Sequence, residues 1–406
     1  MMPLTLLLSA VAALIAVRWV YFKLLQIAKE KNLVDNPDAR KLQKTPVPVV
    51  GGIAVFFGLV TGVLTGTAVM TLMGMGPSAM LLPLLSSMLL LLYVGAMDDM
   101  LGLSPESRMV FQILTMLALI MGSGRCVDSF LGLWGIETFS WWLGVPLTVL
   151  AGVGIINSVN MVDGVNGLSS GMCIISCSMF GTAFIWVGDV AGAMAAFSMA
   201  AAQVPFWLRN VFGMRSQMFI GDSGTMVMGG LQSWFVICML RSDGAGAILA
   251  NYGKSNMIAL TLAILSVPVF DTVRVMTMRM VRGKSPFQSD KTHLHHIFIS
   301  TGMSHLATTL NEILINVLIV SVWAVCVLLR VPLDWQLYMV IAASVLLVWG
   351  PYAFLSYHQQ HDTALIHKLH HMNEATYLEN RPWWQKMQNW LDSPAKTGAS
   401  TTSPNS

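Results

Sequence analysis

Leu81-Leu-Pro-Leu-Leu-Ser-Ser-Met-Leu-Leu-Leu-Leu-Tyr-Val-Gly-Ala-Met-Asp98-Asp99 is a continuous apolar run that stops on two carboxylates. Its apolar residues do not alternate with polar ones, so it reads as a helix and not as a strand of a membrane barrel. With the residues just before it, the run has the roughly 20 residues needed to cross a bilayer. Scanning outward gives candidate spans near 3–22, 49–73, 78–97, 108–122, 142–159, 167–187, 190–208, 221–240, 257–277, 312–329 and 335–356. The fold class is therefore all-α, a polytopic integral membrane protein of about 11 transmembrane helices. The first 25 residues lack a basic start and a small-residue cleavage pattern, and read as a retained span.

Composition agrees. Of 406 residues, 55% are hydrophobic and 11% charged, against about 25% charged in soluble domains. A formal net charge of +3 suggests no nucleic-acid partner. Cys126, Cys173, Cys177, Cys238 and Cys326 show no C-x-x-C pattern and read as plain hydrophobes. With the N-terminus outside, eighteen of the 23 Lys and Arg fall in inner loops and the C-terminal tail. Arg125, Arg241, Lys254 and Arg330 fall outside, and Arg18 lies in the first span. The positive-inside rule selects this orientation, with a cytosolic C-terminus.

On that map the unusual residues gather at the cytosolic side. Asp98-Asp99 end the third span, Asn157 to Asn166 join the fifth and sixth, Asp222 opens the eighth, Asp271 closes the ninth, and His293-Leu-His295-His296 lie between the ninth and tenth. Polar groups at bilayer depth are costly and are tolerated where they line a watery cavity. Each cluster has two readings. Asp98-Asp99 could end one helix and cap the next, or form the oxygen-rich site that suits Mg2+. Gly221-Asp222-Ser-Gly224 could be an ordinary helix start, or a second metal carboxylate at a helix N-terminus where phosphates are also welcome. The histidines, with Arg279, Arg282, Lys284 and Lys291, could be a solvated basic loop, a zinc site, or a grip on an anionic sugar phosphate. His367, His370 and His371 read as one face of a solvated or membrane-surface helix, and Trp134 to Trp142 as an interfacial belt or re-entrant element. A secondary transporter is the alternative of a different class, but acids lining one face without an internal repeat argue against it.

Taken together, Pro48-Val-Val-Gly51-Gly52, Asp98-Asp99, Asn157-x-x-Asn160-x-x-Asp163-Gly-x-x-Gly167-Leu168, Phe219-x-Gly-Asp222-Ser-Gly224 and Pro286-Phe-x-x-Asp290-x-x-His293-x-His295-His296 resemble the polyprenyl-phosphate N-acetylhexosamine-1-phosphate transferase family. The likeness covers roughly residues 30 to 300 and is nearer to the bacterial undecaprenyl-phosphate GlcNAc-1-phosphate branch than to the phospho-MurNAc-pentapeptide transferases. It implies a UDP-N-acetylhexosamine donor, an undecaprenyl phosphate acceptor, release of UMP, Mg2+ with Mn2+ as an acceptable substitute, and a site on the cytosolic face of the bacterial inner membrane. By similarity Asp222 and Asn160 are the metal ligands, and Asp98, Asp99 and Asp222 the catalytic set. Asp163, Asn166, Asn157, Lys44, Arg282, His293, His295 and His296 are then the substrate-binding residues, Asn166 at the nucleotide and the histidines at the sugar phosphate. Many GlcNAc-type relatives have Asp where this chain has Asn166 and His where it has Gln43, which bears on the choice of sugar nucleotide. The general base usually assigned to Asp98 is limited by chemistry, because a phosphate monoester with a second pKa of about 6 is already mostly dianionic at neutral pH. A covalent aspartyl-phosphate route and a homodimer both stay open. Residues 1–357 would form the transferase domain, and 358–406 a polar cytosolic tail whose last residues are disordered.

Overall fold

The computed structural model describes residues 2–35, 45–74, 76, 78–244, 247–249, 255–286, 292–375 and 377–393. Helices dominate: α1 (Met2–Glu30), α2 (Gly51–Leu72), α3 (Leu81–Leu101), α4 (Pro105–Ser123), α5 (Trp141–Met161), α6 (Leu168–Trp186), α7 (Val190–Phe212) and α8 (Gly221–Met239). There follow α9 (Met257–Ile264), α10 (Ser266–Val281), α11 (Leu294–Ser300), α12 (His305–Leu328), α13 (Leu333–Ser344) running through one π-helical turn into α14 (Gly350–Gln360), α15 (Ala364–Ala375) and α16 (Pro382–Asp392). Among the described residues eight helices are long and apolar enough to cross a membrane, and nine if a bent pair counts as one. The chain is an all-α polytopic membrane protein.

Three of the eleven expected spans differ from the rest. The span expected at 257–277 is not one rod: α9 and α10 meet at Leu265 with a 79° bend. Asp271 therefore lies inside α10 instead of closing a span. The stretches near 108–122 and 221–240 are helical, as α4 and α8, but are not among the apolar spanning set. Their composition has a physical reason. In α8 every residue except Asp222 is buried in protein, so lipid does not demand an apolar surface. In α4 the first turn is Pro105-Glu-Ser-Arg108, started by Ser104, whose hydroxyl accepts from Ser107 N.

Packing without a strong solvent-driven force relies on close backbone approach. Gly95 of α3 illustrates it, since a Cβ there would stand 2.4 Å from Ser223 Cα of α8. Gly52 lies equally close to Gly224, whose backbone N would be 2.2 Å from an added Cβ. A short ribbon, β1 (Val34–Asp35) with β2 (Val47–Pro48), pairs antiparallel. It was not foreseen. Beyond it Phe219 N donates to Pro48 O at 2.8 Å, Gly51 N to Phe219 O at 3.0 Å and Gly52 N to Ile220 O at 2.8 Å. Two of the motifs are thereby laced together, and α3 lies against the helix that follows the second.

Candidate active site

The motifs converge on one cavity of about 1100 Å³, lined by Asp98, Asp99, Arg108, Asp163, Asn166, Ser169, Asn210, Gln217, Asp222, His296 and His305 among others. It lies where α3, α5 and α6 present their polar ends to the start of α8. The run from Asn157 to Leu168 carries α5 into a turn and then α6, with Gly167 at φ +80° as the entry to α6.

The four carboxylates do different jobs. Asp99 caps α8, accepting from Asp222 N at 2.7 Å and Ser223 N at 3.1 Å. These are the helix-start donors that sequence reading had offered to a phosphate, so the cap arrives from a neighbouring helix and Asp222 is left to face the cavity. Asp98 is buried. Its Oδ1 accepts from Leu103 N at 2.7 Å and its Oδ2 from Arg108 Nη1 at 2.9 Å. With both oxygens engaged, it orients the guanidinium. Asp222 receives Arg108 Nη1 at 3.4 Å and Asn160 Nδ2 at 2.5 Å, and Asn160 Nδ2 also donates to Thr225 Oγ1 at 2.8 Å. In this contact Asn160 presents its Nδ2; with the amide turned over, its Oδ1 and the Asp222 carboxylate would be hard oxygen donors, the set that suits Mg2+ when water and substrate phosphates complete its shell.

Asp163 accepts from Ser169 Oγ at 2.5 Å. Burial pushes its carboxyl up to about 7, partly opposed by Ser169 and reinforced by Asp99. A raised folded-state pKa means the fold favours the protonated acid. That contribution is present below the ordinary value of 3.8 and is lost as pH rises to about 7. Asp163→Asn is accordingly expected to raise the melting temperature of metal-free, detergent-solubilised protein at pH 8, by a stability gain on the order of a few kcal/mol. At pH 4 the gain should vanish, and equal shifts at both pH values would contradict the assignment.

The remaining expected site residues divide. Asn166 lines the cavity, with its backbone N donating to His305 Nδ1 at 3.1 Å and its O accepting from Thr309 Oγ1 at 3.1 Å. His296 also lines it. His293 and His295 are buried beneath it and do not line it. His293 Nδ1 lies 2.8 Å from Asp271 Oδ2, and Arg274 Nη2 donates to Asp271 Oδ1 at 2.6 Å. His295 backs Gly164, where an added Cβ would sit 2.3 Å from its Nε2. Burial, with His296 and His293 nearby, holds the His295 pKa well below the usual imidazole range, so the ring is neutral. The histidine motif is thus one wall residue on two supports. Asn157 is a strut, donating to Gln112 Oε1 at 2.7 Å and Val153 O at 2.8 Å. Arg282 is exposed at the end of α10 and does not line the cavity. Lys44, Gln43, Asp290 and Lys291 lie outside the described residues, as does the segment 394–406.

Sequence reading missed Arg108, the cation hydrogen-bonded to two of the four acids. It was counted only as an inner-loop charge, although its place one turn into α4 and ten residues after Asp98 was a usable signal. Ser169, Thr225, Asn210 and His305 were also missed, each a common polar residue without a distinctive spacing.

The chain is also similar in sequence to known proteins. A model of glycosyl transferase family 4 matches residues 81–240. The undecaprenyl-phosphate alpha-N-acetylglucosaminyl 1-phosphate transferase of Yersinia pestis is 30% identical over 284 residues, covering 69% of this chain and 73% of that protein. The chain belongs to glycosyl transferase family 4. Other members similar to it include the enzyme of the same description from Escherichia coli K12, 29% identical over 291 residues, 69% of this chain and 72% of that one. A probable undecaprenyl-phosphate N-acetylglucosaminyl 1-phosphate transferase of Bacillus subtilis is 28% identical over 294 residues, 72% of this chain and 76% of that one. Within the family match lie Asp98, Asp99, Arg108, Asp163 and Asp222, which line the cavity, and Asn160, which does not line it and meets it through its contact with Asp222.

Proposed function

We propose that the protein transfers a HexNAc-1-phosphate, GlcNAc-1-phosphate by preference, from a UDP-sugar to undecaprenyl phosphate, releasing UMP and starting a lipid-linked envelope glycan. The observation that carries this reading is the contact of Asp222 with Asn160 on a large polar cavity beside Arg108, in a chain of this family. The site faces the cytosol of a bacterial inner membrane, where nucleotide sugars are made and where the charge bias puts it.

In the reaction an oxygen of the acceptor phosphate attacks the β-phosphorus of the donor. A new P–O bond forms as the bond from that phosphorus to the bridging oxygen breaks, and UMP leaves with the electron pair. Asp222 and Asn160 would hold Mg2+, which when bound would supply charge neutralisation at the diphosphate and at the departing UMP. Arg108, aimed by Asp98, adds a fixed positive charge beside those ligands. Asp98 need not remove a proton from an acceptor that is already dianionic. Asp99 keeps the start of α8 in register so that Asp222 faces the cavity, and His295 supports the Asp163-Gly164 turn.

A donor panel tests the reading. Protein in nanodiscs with undecaprenyl phosphate and Mg2+ is offered UDP-GlcNAc, UDP-GalNAc and UDP-MurNAc-pentapeptide, and the lipid products are weighed by mass spectrometry. The GlcNAc-diphospholipid should form fastest; product from the pentapeptide donor alone would move the protein to the peptidoglycan branch.

A further inference from the structure

The tripeptide Met214-Arg215-Ser216, between α7 and α8, is gripped from two sides by helices from opposite ends of the chain. Its three amides point at one carboxylate on α16. Asp392 Oδ1 accepts from Ser216 N at 2.9 Å and Ser216 Oγ at 2.6 Å, Oδ2 accepts from Arg215 N at 3.0 Å, and Met214 N reaches both oxygens at 3.3 Å. From the other side α1 takes the carbonyls: Tyr21 OH donates to Ser216 O at 2.7 Å and Lys29 Nζ to Arg215 O at 2.8 Å. Burial would push the Asp392 carboxyl up, but Ser216 and the three amides outweigh it and hold it below its ordinary value, so it is ionised at neutral pH. Helix α16 is seated by packing. Trp384 and Leu391 are buried, and the Trp384 ring packs at a tilt of 58° against Phe212, with centroids 4.6 Å apart.

From this clamp the chain runs directly into the cavity wall. Gln217 lines the cavity and its Nε2 donates to Asn210 O at 3.3 Å. Asn210, on the same wall, donates from Nδ2 to Met218 O at 2.7 Å and accepts Gly167 N on Oδ1 at 2.6 Å. Gly167 adjoins Asn166, a third amide on that wall. With Asn210 tied to Met218 and Gly167 as their support, the amides of Gln217 and Asn166 present a surface that can both donate and accept, which fits the edge of a pyrimidine base and not a polyprenyl tail.

We infer that Asp392 is a positioning residue for the nucleotide end of the donor: through Met214–Ser216 it sets the amide wall of Gln217, Asn210 and Asn166. This rests on the proposed UDP-sugar reaction. It gives the C-terminal helix a part in substrate recognition that its polar sequence did not announce.

The test is steady-state kinetics of full-length protein in nanodiscs, varying UDP-GlcNAc and undecaprenyl phosphate separately. Asp392→Ala should raise the KM for UDP-GlcNAc about tenfold or more, the scale of losing roughly one well-made hydrogen bond to the bound donor. Turnover should stay within about twofold and the KM for the lipid should not move. Asp392→Asn, keeping one acceptor oxygen, should fall between wild type and Asp392→Ala. If Asp392→Ala does not fold, Ser216→Ala removes one hydroxyl bond to the same carboxylate and should still raise the donor KM measurably. Unchanged KM values, or loss of turnover in proportion to unfolded protein with both KM values unmoved, would overturn the inference. Wild-type protein that does not use UDP-GlcNAc would instead fail the proposed function, so the two failures are separable.

Discussion

Asp222→Asn should lower turnover by about a thousandfold or more while the purified protein keeps its melting temperature to within a few degrees. The expected size follows from removing a charged group that in the proposed reaction acts on the transferring phosphate, an effect of about 10²–10³ for one such group, enlarged here because the same oxygens would also hold Mg2+. The fold should survive because the Asn keeps an oxygen for Asn160 Nδ2, and the N-terminus of α8 is capped by Asp99 and not by Asp222. Isothermal titration of Mn2+ in the presence of UDP supplies a second readout, in which the variant should lose binding. Near-normal turnover of the variant at low Mg2+ would remove Asp222 from the metal site.

Arg108→Ala carries the second large effect, a fall in turnover of about 10²–10³. Its cause is double. The guanidinium lies 2.9 Å from Asp98 and 3.4 Å from Asp222, so its loss removes positive charge from the reacting phosphates. It also leaves the buried Asp98 carboxylate with only Leu103 N, an unfavourable state for a buried charge. Arg108→Lys should restore part of the rate, because an ammonium supplies charge without the planar fork. Single-turnover rates at saturating donor and acceptor would check this. An Arg108→Ala variant as fast as the wild type would mean that this cation plays no part in the transfer.

What the sequence disclosed and what it hid follow physical lines. Apolar runs such as 81–97 announce helices because lipid imposes composition, and the polar run from Asn157 to Leu168 announces a cavity because such groups are costly elsewhere. The 79° bend at Leu265 escaped the hydropathy scan, since Met257 to Val269 is largely apolar on both sides of the break; Ser266-Val-Pro268 was the usable signal, because Pro268 cannot donate to Ile264 O. Adjacent Asp98 and Asp99 looked equivalent, yet one holds an arginine and the other caps a helix that begins 122 residues after it. That division depends on the close approach of Gly95 to Ser223, a tertiary fact. The histidine motif likewise read as three binding groups, whereas burial makes two of them supports. Asp392 was hidden for the same reason: an acid in a polar tail acquires meaning only from the three amides it meets.

The most direct test of the account follows one phosphorus atom. Purified protein in nanodiscs with undecaprenyl phosphate and Mg2+ is supplied with UDP-GlcNAc labelled with 32P in the β-phosphate. Transfer of the sugar phosphate at the Asp222–Asn160 site predicts that the label appears in the lipid product and that the nucleotide released is unlabelled UMP. Label recovered in UDP, with an undiphosphorylated sugar lipid beside it, would show bond breaking at the sugar carbon and contradict the account.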